Sequence, residues 1–345
     1  MKNSLATYPI KTFDDFRNVA QLYQYSRVIQ TALELDLFTA VGSRSWAPGN
    51  LAGRLKCSRR GLEILCRNLA ALGLLVKSSR TYRNTPFARR ELNRRGSAYR
   101  GEYMELIQSQ WKDFEQLSTS VRTGRPVDDD APENPKWRRT FTWAMHHRSR
   151  EQARRVASAL DLSSARNLLD LGGGPGTYAL AFLSKNRGLR ATVADRPAAI
   201  KVAREIAGKH TAKARLAFDH VDFLKDRLGG RYDVVWLSNI IHIYSPGQNL
   251  ALFKKISTVL TAGGRLIIQD SFLTDRQGLY PIDTSAFALT MLLFTEKGNT
   301  YALRDVMKWL KQAGYEDLKV LPGVSGRKNA ENGVIQGRRS RAARR

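Results

Sequence analysis

A glycine-rich turn that follows an acid is the part of the sequence with the clearest chemistry. In LLDLGGGPGTY, residues 168–178, an apolar run ends in Asp170, and Gly172, Gly174 and Gly176 follow on alternate positions. Glycines at a strand-to-helix turn let a ligand approach the backbone closely. No G-x-G-x-x-G can be completed, which disfavours a dinucleotide, and the acid would repel phosphate. The turn therefore favours a cationic ligand, S-adenosylmethionine, over a dinucleotide or a turn without a ligand.

Two further acids follow at the ends of the next predicted strands. Asp195 ends RATVAD, and an acid at this position can accept hydrogen bonds from both ribose hydroxyls. Asp222 lies in HVDF, where it could accept from an adenine amino group while Phe223 packs against the ring. Because ligands of open α/β sheets bind at the carboxyl ends of strands, three acids in this order predict a nucleoside site.

A histidine and an acid end the fourth and fifth predicted strands. His242 follows YDVVWLSNII, and Asp270 lies in LIIQDSF. A neutral histidine can remove the proton of a phenol, whose pKa is near 10, before the oxygen attacks a methyl group. Asp270 would orient that base. The alternative is a histidine satisfied in the core. No cluster of metal ligands is evident, so we expect no metal.

The elements that must position these residues alternate between strand and helix. The strand candidates are NLLDL, RATVAD, ARLAFDHVD, YDVVWLSN and GRLIIQD, with helical patterns at 177–186, 197–208 and 247–260 between them. This order predicts an α/β fold with a mostly parallel sheet covered on both faces. YEDLKVL and NGVIQGRR could add an antiparallel pair at one edge, and RRSRAARR after them has nothing to bury and is expected to be disordered.

The residues before the sheet predict a separate helical domain. Residues 13–40 show helical spacing, and LAGRLKCSRRGLEILCRNLAALGLL reads as helix, turn and helix with Ser58 as an N-cap. A hairpin at VKSSRTYRNT completes a winged-helix order. We therefore divide the chain into a winged-helix-like dimerisation domain (1–100), a helical connector (101–160), a cofactor-binding catalytic domain (161–325), and a last edge strand with a basic tail (326–345).

The chain is strongly basic. Its 345 residues carry a formal net charge of +26, and residues 1–100 hold 18 Lys/Arg against 6 Asp/Glu. This charge is compatible with a solvated basic surface or with binding to nucleic acid or another acidic partner. Two cysteines, no apolar run of membrane-helix length and no signal-like N-terminus predict a cytoplasmic protein without a membrane span.

With these residues in place, the chain resembles the metal-independent, caffeate-type O-methyltransferase family, including bacterial members that act on pigments and polyketides. The resemblance covers most of residues 15–325. It rests on LELDLF, LLDLGGGPGTY, VADRP, FDHVDF, LSNIIHIYSP, GGRLIIQDSFL and TEKGNTY. It implies a Rossmann-like S-adenosylmethionine methyltransferase sheet, an N-terminal winged-helix dimerisation domain, and a homodimer.

The resemblance also assigns roles to residues. Ser238 would contact the cofactor, His242 would be the catalytic base, and Asp270 the acid beside it. In plant members a second acid flanks the base, where this chain has Thr300, with Glu296 four residues earlier. A small acceptor would bind in an apolar pocket between the domains. The lining candidates, each of which could instead be core, are Trp111, Phe114, Phe141, Met145, His146, Phe287, Met291 and Phe294.

Two alternatives use the basic charge. The first is a methyltransferase that acts on RNA or another macromolecule, although SNIIH does not match the D/N-P-P-Y/F pattern of enzymes that methylate base nitrogens. The second is a DNA-binding regulator that uses Arg54, Lys56, Arg59, Arg60 and Arg67 around the winged-helix turn. Because ILCRNLAALGLL is mostly apolar, that helix suits a buried contact better than a groove of DNA.

Overall fold

A computed structural model describes residues 9–127, 134–222, 224–321 and 333–340. The chain divides into two compact units, 1–108 and 109–345. This boundary falls inside the predicted connector, residues 101–160. Phe223 and the final residues 341–345 lie outside the described residues.

The first unit consists of helices and one hairpin. Its elements are α1 (Phe13–Ala20), α2 (Tyr23–Glu34), α3 (Leu37–Val41), α4 (Pro48–Leu55), α5 (Arg59–Ala71), β1 (Leu75–Ser78), β2 (Thr81–Asn84) and α6 (Pro86–Glu91). The predicted order of helix, turn, helix and hairpin is present, and β1 and β2 pair antiparallel. Ser58 caps α5 as predicted, because its Oγ accepts from the Gly61 N–H at 3.0 Å. The helical pattern of 13–40 comprises three helices, and Asp36, in a left-handed conformation, separates α2 from α3.

The second unit contains the sheet. Helix α7 (Gly101–Glu115) crosses the boundary between the units. The elements that follow are α8 (Leu117–Thr123), α9 (Pro135–Ala159), β3 (Asn167–Leu171), α10 (Thr177–Lys185), β4 (Arg190–Asp195), α11 (Pro197–Gly208), β5 (Leu216–His220), β6 (Tyr232–Ser238), α12 (Pro246–Val259), β7 (Leu260–Asp270), β8 (Phe272–Leu273), α13 (Ile282–Phe294), β9 (Tyr301–Ala302), α14 (Leu303–Gln312), β10 (Tyr315–Val320) and β11 (Gly333–Arg339).

The main sheet has seven strands in the order β10-β11-β7-β6-β3-β4-β5. Strands β7, β6, β3, β4 and β5 are parallel, while β11 pairs antiparallel with β7 and with β10. The predicted fold class is therefore confirmed. One detail differs: β11 lies inside the sheet, and β10 forms the edge. Arg338 and Arg339 belong to β11, so the first two residues of the basic run RRSRAARR are part of the sheet.

The strand order places a crossover between β3 and β6. The chain runs from β3 outward through β4 and β5, then returns to β6 on the other side of β3. Ligands of such sheets bind at the carboxyl ends of the strands near this point. Buried aromatic side chains hold the sheet to its helices, among them Trp236 on β6 and Phe182 on α10. No described helix is long and apolar enough to cross a membrane.

Candidate active site

The glycine turn joins β3 to α10 and needs its glycines. Gly172, Gly174 and Gly176 have φ of +67°, +50° and +69°, a region that L side chains rarely adopt. The turn is held to strand β4, because the Gly172 N–H donates to the Ala194 carbonyl at 2.8 Å. A side chain at any of these positions would be strained, so the turn presents bare backbone beside the crossover point.

Asp170 lies beneath this turn and does not face outward. Its carboxyl is 1% exposed, and Oδ2 accepts from the Ala179 N–H, in the first turn of α10, at 3.2 Å. A Cβ added at Gly173 would lie 2.6 Å from the Asp170 Cγ. Burial raises the pKa of this carboxyl to about 7. In this structure the acid therefore holds the first turn of α10, and its contact with a ligand stays a prediction.

Asp195, at the end of β4, reaches back to the same turn. Its Oδ2 accepts from the Gly174 N–H and its Oδ1 from the Arg196 N–H, both at 2.7 Å. Burial raises its pKa, and the nearby charges of Arg196 and Arg138 oppose that rise. Two carboxylate oxygens offer about four acceptor sites. The half-buried Asp195 thus keeps capacity for further donors, such as two ribose hydroxyls.

Asp222 follows β5, the next strand of the sheet. Its Oδ1 accepts from the Leu224 N–H at 3.1 Å, and its side chain is about a third exposed beside Lys225. Phe223, the predicted ring contact, lies outside the described residues. Asp195 and His220 are register partners on β4 and β5, so Asp222 comes two residues after a position level with Asp195.

Ser238 ends β6, and its Oγ accepts from the Asn239 side-chain amide at 2.9 Å. The hydroxyl of Tyr178, which follows the glycine turn, accepts from the Gln269 side-chain amide at 2.9 Å. Burial raises the pKa of Tyr178. This hydrogen bond connects the end of β7 to the start of α10.

His242 and Asp270 are brought together as the sequence predicts. They follow or end the neighbouring strands β6 and β7, and the His242 Nδ1 lies 2.7 Å from the Asp270 Oδ1. A carboxylate only accepts, so Nδ1 carries the proton and Nε2 is the free basic nitrogen. His242 is 6% exposed and Asp270 fully buried. The Ile241 N–H also donates to Asp270, at 3.1 Å, which fixes the carboxylate.

The second flanking position has no buried acid. Thr300 is 5% exposed, and Glu296 is exposed to solvent. The residues between them approach the histidine through the backbone instead. The Asn299 N–H donates to the His242 carbonyl at 2.9 Å, and a Cβ at Gly298 would come within 2.5 Å of that oxygen. The sequence showed that the second flanking acid is absent, but it did not predict the close approach of Gly298 and Asn299 to the His242 carbonyl.

Two of the pocket candidates have described contacts with the site. The His146 Nδ1 lies 2.8 Å from the Thr177 hydroxyl at the start of α10, and burial lowers the pKa of His146 to about 4. The Phe287 ring packs edge-on against His242, with ring centroids 4.9 Å apart. Phe141 stacks on Trp137 within α9. Trp111 and Met145 are half-buried and Met291 is buried, and their role in a pocket stays a prediction.

The residues present suit S-adenosylmethionine better than a phosphorylated ligand. A phosphate needs free backbone N–H groups at a helix start. Here the N–H groups of Gly172, Gly174, Gly176 and Ala179 donate to protein oxygens, so these four groups are not available to a phosphate. No group of three or more potential metal ligands occurs in the described parts of the chain. The site therefore has the character of an S-adenosylmethionine-dependent methyltransferase.

Comparisons with known proteins agree with this class. A family model for the O-methyltransferase domain matches residues 115–316, and one for the O-methyltransferase dimerisation domain matches residues 18–94. The chain is 30% identical over 323 residues to the tetracenomycin polyketide synthesis 8-O-methyl transferase TcmO of Streptomyces glaucescens, covering 90% of this chain and 94% of that protein. It is 28% identical to the 3-hydroxy-5-methyl-1-naphthoate 3-O-methyltransferase of Streptomyces sahachiroi, covering 90% and 91%.

A solved structure shows the same fold. Human N-acetylserotonin methyltransferase in complex with SAM superposes with a TM-score of 0.83 at 22% identity, covering 97% of this chain and 99% of that one. This chain belongs to the O-methyltransferase family. The predicted enzyme class and methyl donor are thereby confirmed, and the first unit carries the family's dimerisation domain. The alternatives of a macromolecular substrate and a nucleic-acid partner gain no support.

Proposed function

We propose that this enzyme methylates a hydroxyl of a small aromatic or polyketide-like acceptor, with His242 as the general base. The observation that carries the proposal is the buried His242–Asp270 pair, 2.7 Å apart, at the ends of strands β6 and β7. Strand β3, which leads into the glycine turn, is the next strand of the sheet. The base and the glycine turn therefore both lie at the carboxyl ends of neighbouring strands.

The pair suits proton removal from a phenol. S-adenosylmethionine supplies an electrophilic methyl group when bound. Asp270 accepts a hydrogen bond from the Nδ1–H of His242. This bond selects the tautomer whose Nε2 lone pair can take the proton of the acceptor's hydroxyl. The imidazolium that results is stabilised by the same carboxylate in a nearly dry environment. Phe287, packed on the ring of His242, offers an apolar wall beside the acceptor.

The glycine turn and the strand-end acids would hold the methyl donor. Asp195 keeps acceptor capacity for ribose, while Gly172, Gly174 and Gly176 leave bare backbone beside it. Asp170 would support this site indirectly, by accepting a hydrogen bond from the first turn of α10. Asp222 and Phe223 would recognise the adenine, and Ser238 the part of the cofactor nearest β6. These assignments come from strand position and the family resemblance.

Two observations support an aromatic acceptor. The relatives named above act, by their names, on a tetracenomycin polyketide and a hydroxynaphthoate. The candidate pocket residues on α9 and α13 are apolar or aromatic, with His146 as the polar exception. We propose that His146, neutral at pH 7 because its pKa is about 4, contributes to the acceptor side from α9.

We also propose that the enzyme is a homodimer. The dimerisation-domain match, residues 18–94, includes α2, where Tyr23 is 55% exposed, and α1 just before it exposes Phe13 at 75%. Exposed apolar side chains that form a patch mark protein interfaces, and the rings of Phe13 and Phe16 are in contact. Light scattering on the purified protein should give twice the mass of the chain, and a monomer would contradict this part of the proposal.

The proposed function is tested by binding and turnover together. Calorimetry should show S-adenosylmethionine binding that Asp195→Ala weakens by about tenfold or more, because a hydrogen bond to a charged group is lost. Lys209→Ala, at the exposed end of α11, is the matched control and should bind normally. A screen of phenolic and naphthol acceptors with labelled methyl donor should then give a methyl ether. Binding without transfer to any hydroxyl would refute the proposed reaction.

A further inference from the structure

Asn249 is a buried polar residue that the proposed mechanism does not use. It lies in the first part of α12, seven residues after His242, and its side chain is 0% exposed. Its amide Nδ2 donates to the Ile241 carbonyl at 2.8 Å and to the Tyr244 carbonyl at 3.1 Å. These two carbonyls lie on either side of His242 in the chain. The amide therefore bridges the short 3-10 turn, Ile241–Ile243, that carries the base.

Other donors hold the rest of this turn. The Tyr301 hydroxyl donates to the Tyr244 carbonyl at 2.5 Å, and the Asn299 N–H donates to the His242 carbonyl at 2.9 Å. On the opposite side the Ile241 N–H donates to Asp270. Three carbonyls of one short segment thus accept from α12, from β9 and from the loop before β9.

The amide works only as a donor at this position. Among the described residues, no hydrogen-bond donor reaches the Asn249 Oδ1, although that atom is buried. An unsatisfied buried acceptor is costly, so the favourable contribution of this side chain comes from its two N–H groups. A carboxylate of the same shape would place oxygen against two carbonyl oxygens. An alanine would leave both carbonyls without this donor.

We propose that Asn249 is a positioning residue for the catalytic base. The amide fixes the backbone on both sides of His242, while Asp270 fixes the imidazole, so that Nε2 is held in one orientation. This backbone clamp provides the second constraint on a base that has a single buried acid beside it, since Thr300 occupies the other flanking position. The inference deepens the proposed function and rests on it for the role of His242.

The test compares Asn249→Ala and Asn249→Asp with Ile256→Val. Ile256 is buried on the same helix and provides a control for general loosening of α12. We expect both Asn249 variants to lower kcat by roughly 10- to 100-fold, because misplacing a catalytic group by about 1 Å can cost that much. The KM for acceptor and the Kd for S-adenosylmethionine should change less than about threefold. The acid limb of the kcat–pH profile should move to lower pH, since a loosened pair stabilises the imidazolium less.

A second readout does not depend on turnover. In the wild-type protein the Nδ1 proton of His242, bonded to Asp270, should give a downfield NMR signal, identified by its loss in His242→Gln. This signal should broaden or shift in Asn249→Ala and stay in place in Ile256→Val. Thermal melts show that each variant is folded at the assay temperature.

The outcomes separate the inference from the proposed function. An Asn249→Ala protein with wild-type kcat, an unchanged pH profile and an unchanged His242 signal would overturn the inference. A loss of kcat in Ile256→Val as large as in Asn249→Ala would also overturn it. A wild-type protein that methylates no hydroxyl, yet whose His242 signal still depends on Asn249, would refute the proposed function and leave the positioning role standing.

Discussion

Replacing Asp270 with asparagine tests the proposed role of the acid without changing its shape. The Oδ1 atom of Asp270 accepts from the His242 Nδ1 and the Ser271 N–H, and Oδ2 accepts from the Ile241 N–H. An asparagine can keep its oxygen toward His242 and Ser271, but its amide then faces the Ile241 N–H. The base keeps its tautomer, while the negative charge that stabilises the imidazolium is lost.

The magnitude follows from that loss. A buried hydrogen bond to a charged group contributes about 1.5–3 kcal/mol. If Asp270→Asn loses this in the transition state, kcat should fall by about 10- to 150-fold. Because the carboxylate lies behind the base, S-adenosylmethionine should bind as before. His242→Ala removes the base itself and should cost about 10²- to 10⁴-fold.

The assay for this prediction is steady-state methyl transfer, followed by mass spectrometry of the methylated acceptor, with calorimetry of the methyl donor alongside. Thermal melts of the variant confirm that it is folded at the assay temperature. An Asp270→Asn enzyme with kcat within about threefold of wild type would refute the stabilisation of an imidazolium. Loss of donor binding in proportion to kcat would show that Asp270 supports the whole site and not the base.

Three further predictions follow from buried groups and close contacts. Without ligand, the pKa of Asp170 is raised from 3.8 to about 7, so folding should lose up to ~4 kcal/mol as pH rises from about 4 to 7; the melting temperature of Asp170→Asn should lack this slope. The pH dependence of stability from His146 has the opposite sign, because its pKa is lowered from 6.5 to about 4. Stability should fall as pH falls from about 6.5 to 4, and the melting temperature of His146→Asn should fall less over that range. Gly298→Ala places a Cβ 2.5 Å from the His242 carbonyl and should lower kcat by about tenfold or more, whereas Gly208→Ala, with no atom within 4 Å, should not; equal turnover by both variants would contradict the close approach.

Local patterns in the sequence were enough to predict the sheet and the main pair of the site. Strand ends at Asp195 and Asp270 and the helix 197–208 agree with the structure, because alternation of apolar runs with turns is a local signal. The His242–Asp270 contact followed from strand order, since both residues come at the carboxyl ends of neighbouring parallel strands. The cap at Ser58 was equally local.

The remainder depends on contacts between distant segments. The position of β11 between β10 and β7 requires the chain to return into the sheet, and no local signal specifies that order. The bond between His146 and Thr177 joins residues 31 positions apart, and Asn299 lies 57 positions from His242. The burial of Asp170 could not be predicted for a different reason. Its spacing from the glycines is visible in the sequence, but the burial that places it beneath the turn is not.

The most direct test of the central claim is single-turnover methyl transfer by wild-type protein and His242→Ala, each saturated with labelled S-adenosylmethionine and given a phenolic acceptor. We expect a methyl ether from the wild-type protein, and a rate lower by about 10²- to 10⁴-fold from the variant with donor binding intact. Raising the pH toward the pKa of the phenol should restore part of the variant's rate, because the acceptor then ionises without a base. Equal rates for the two proteins at neutral pH would contradict the assignment of His242 as the base.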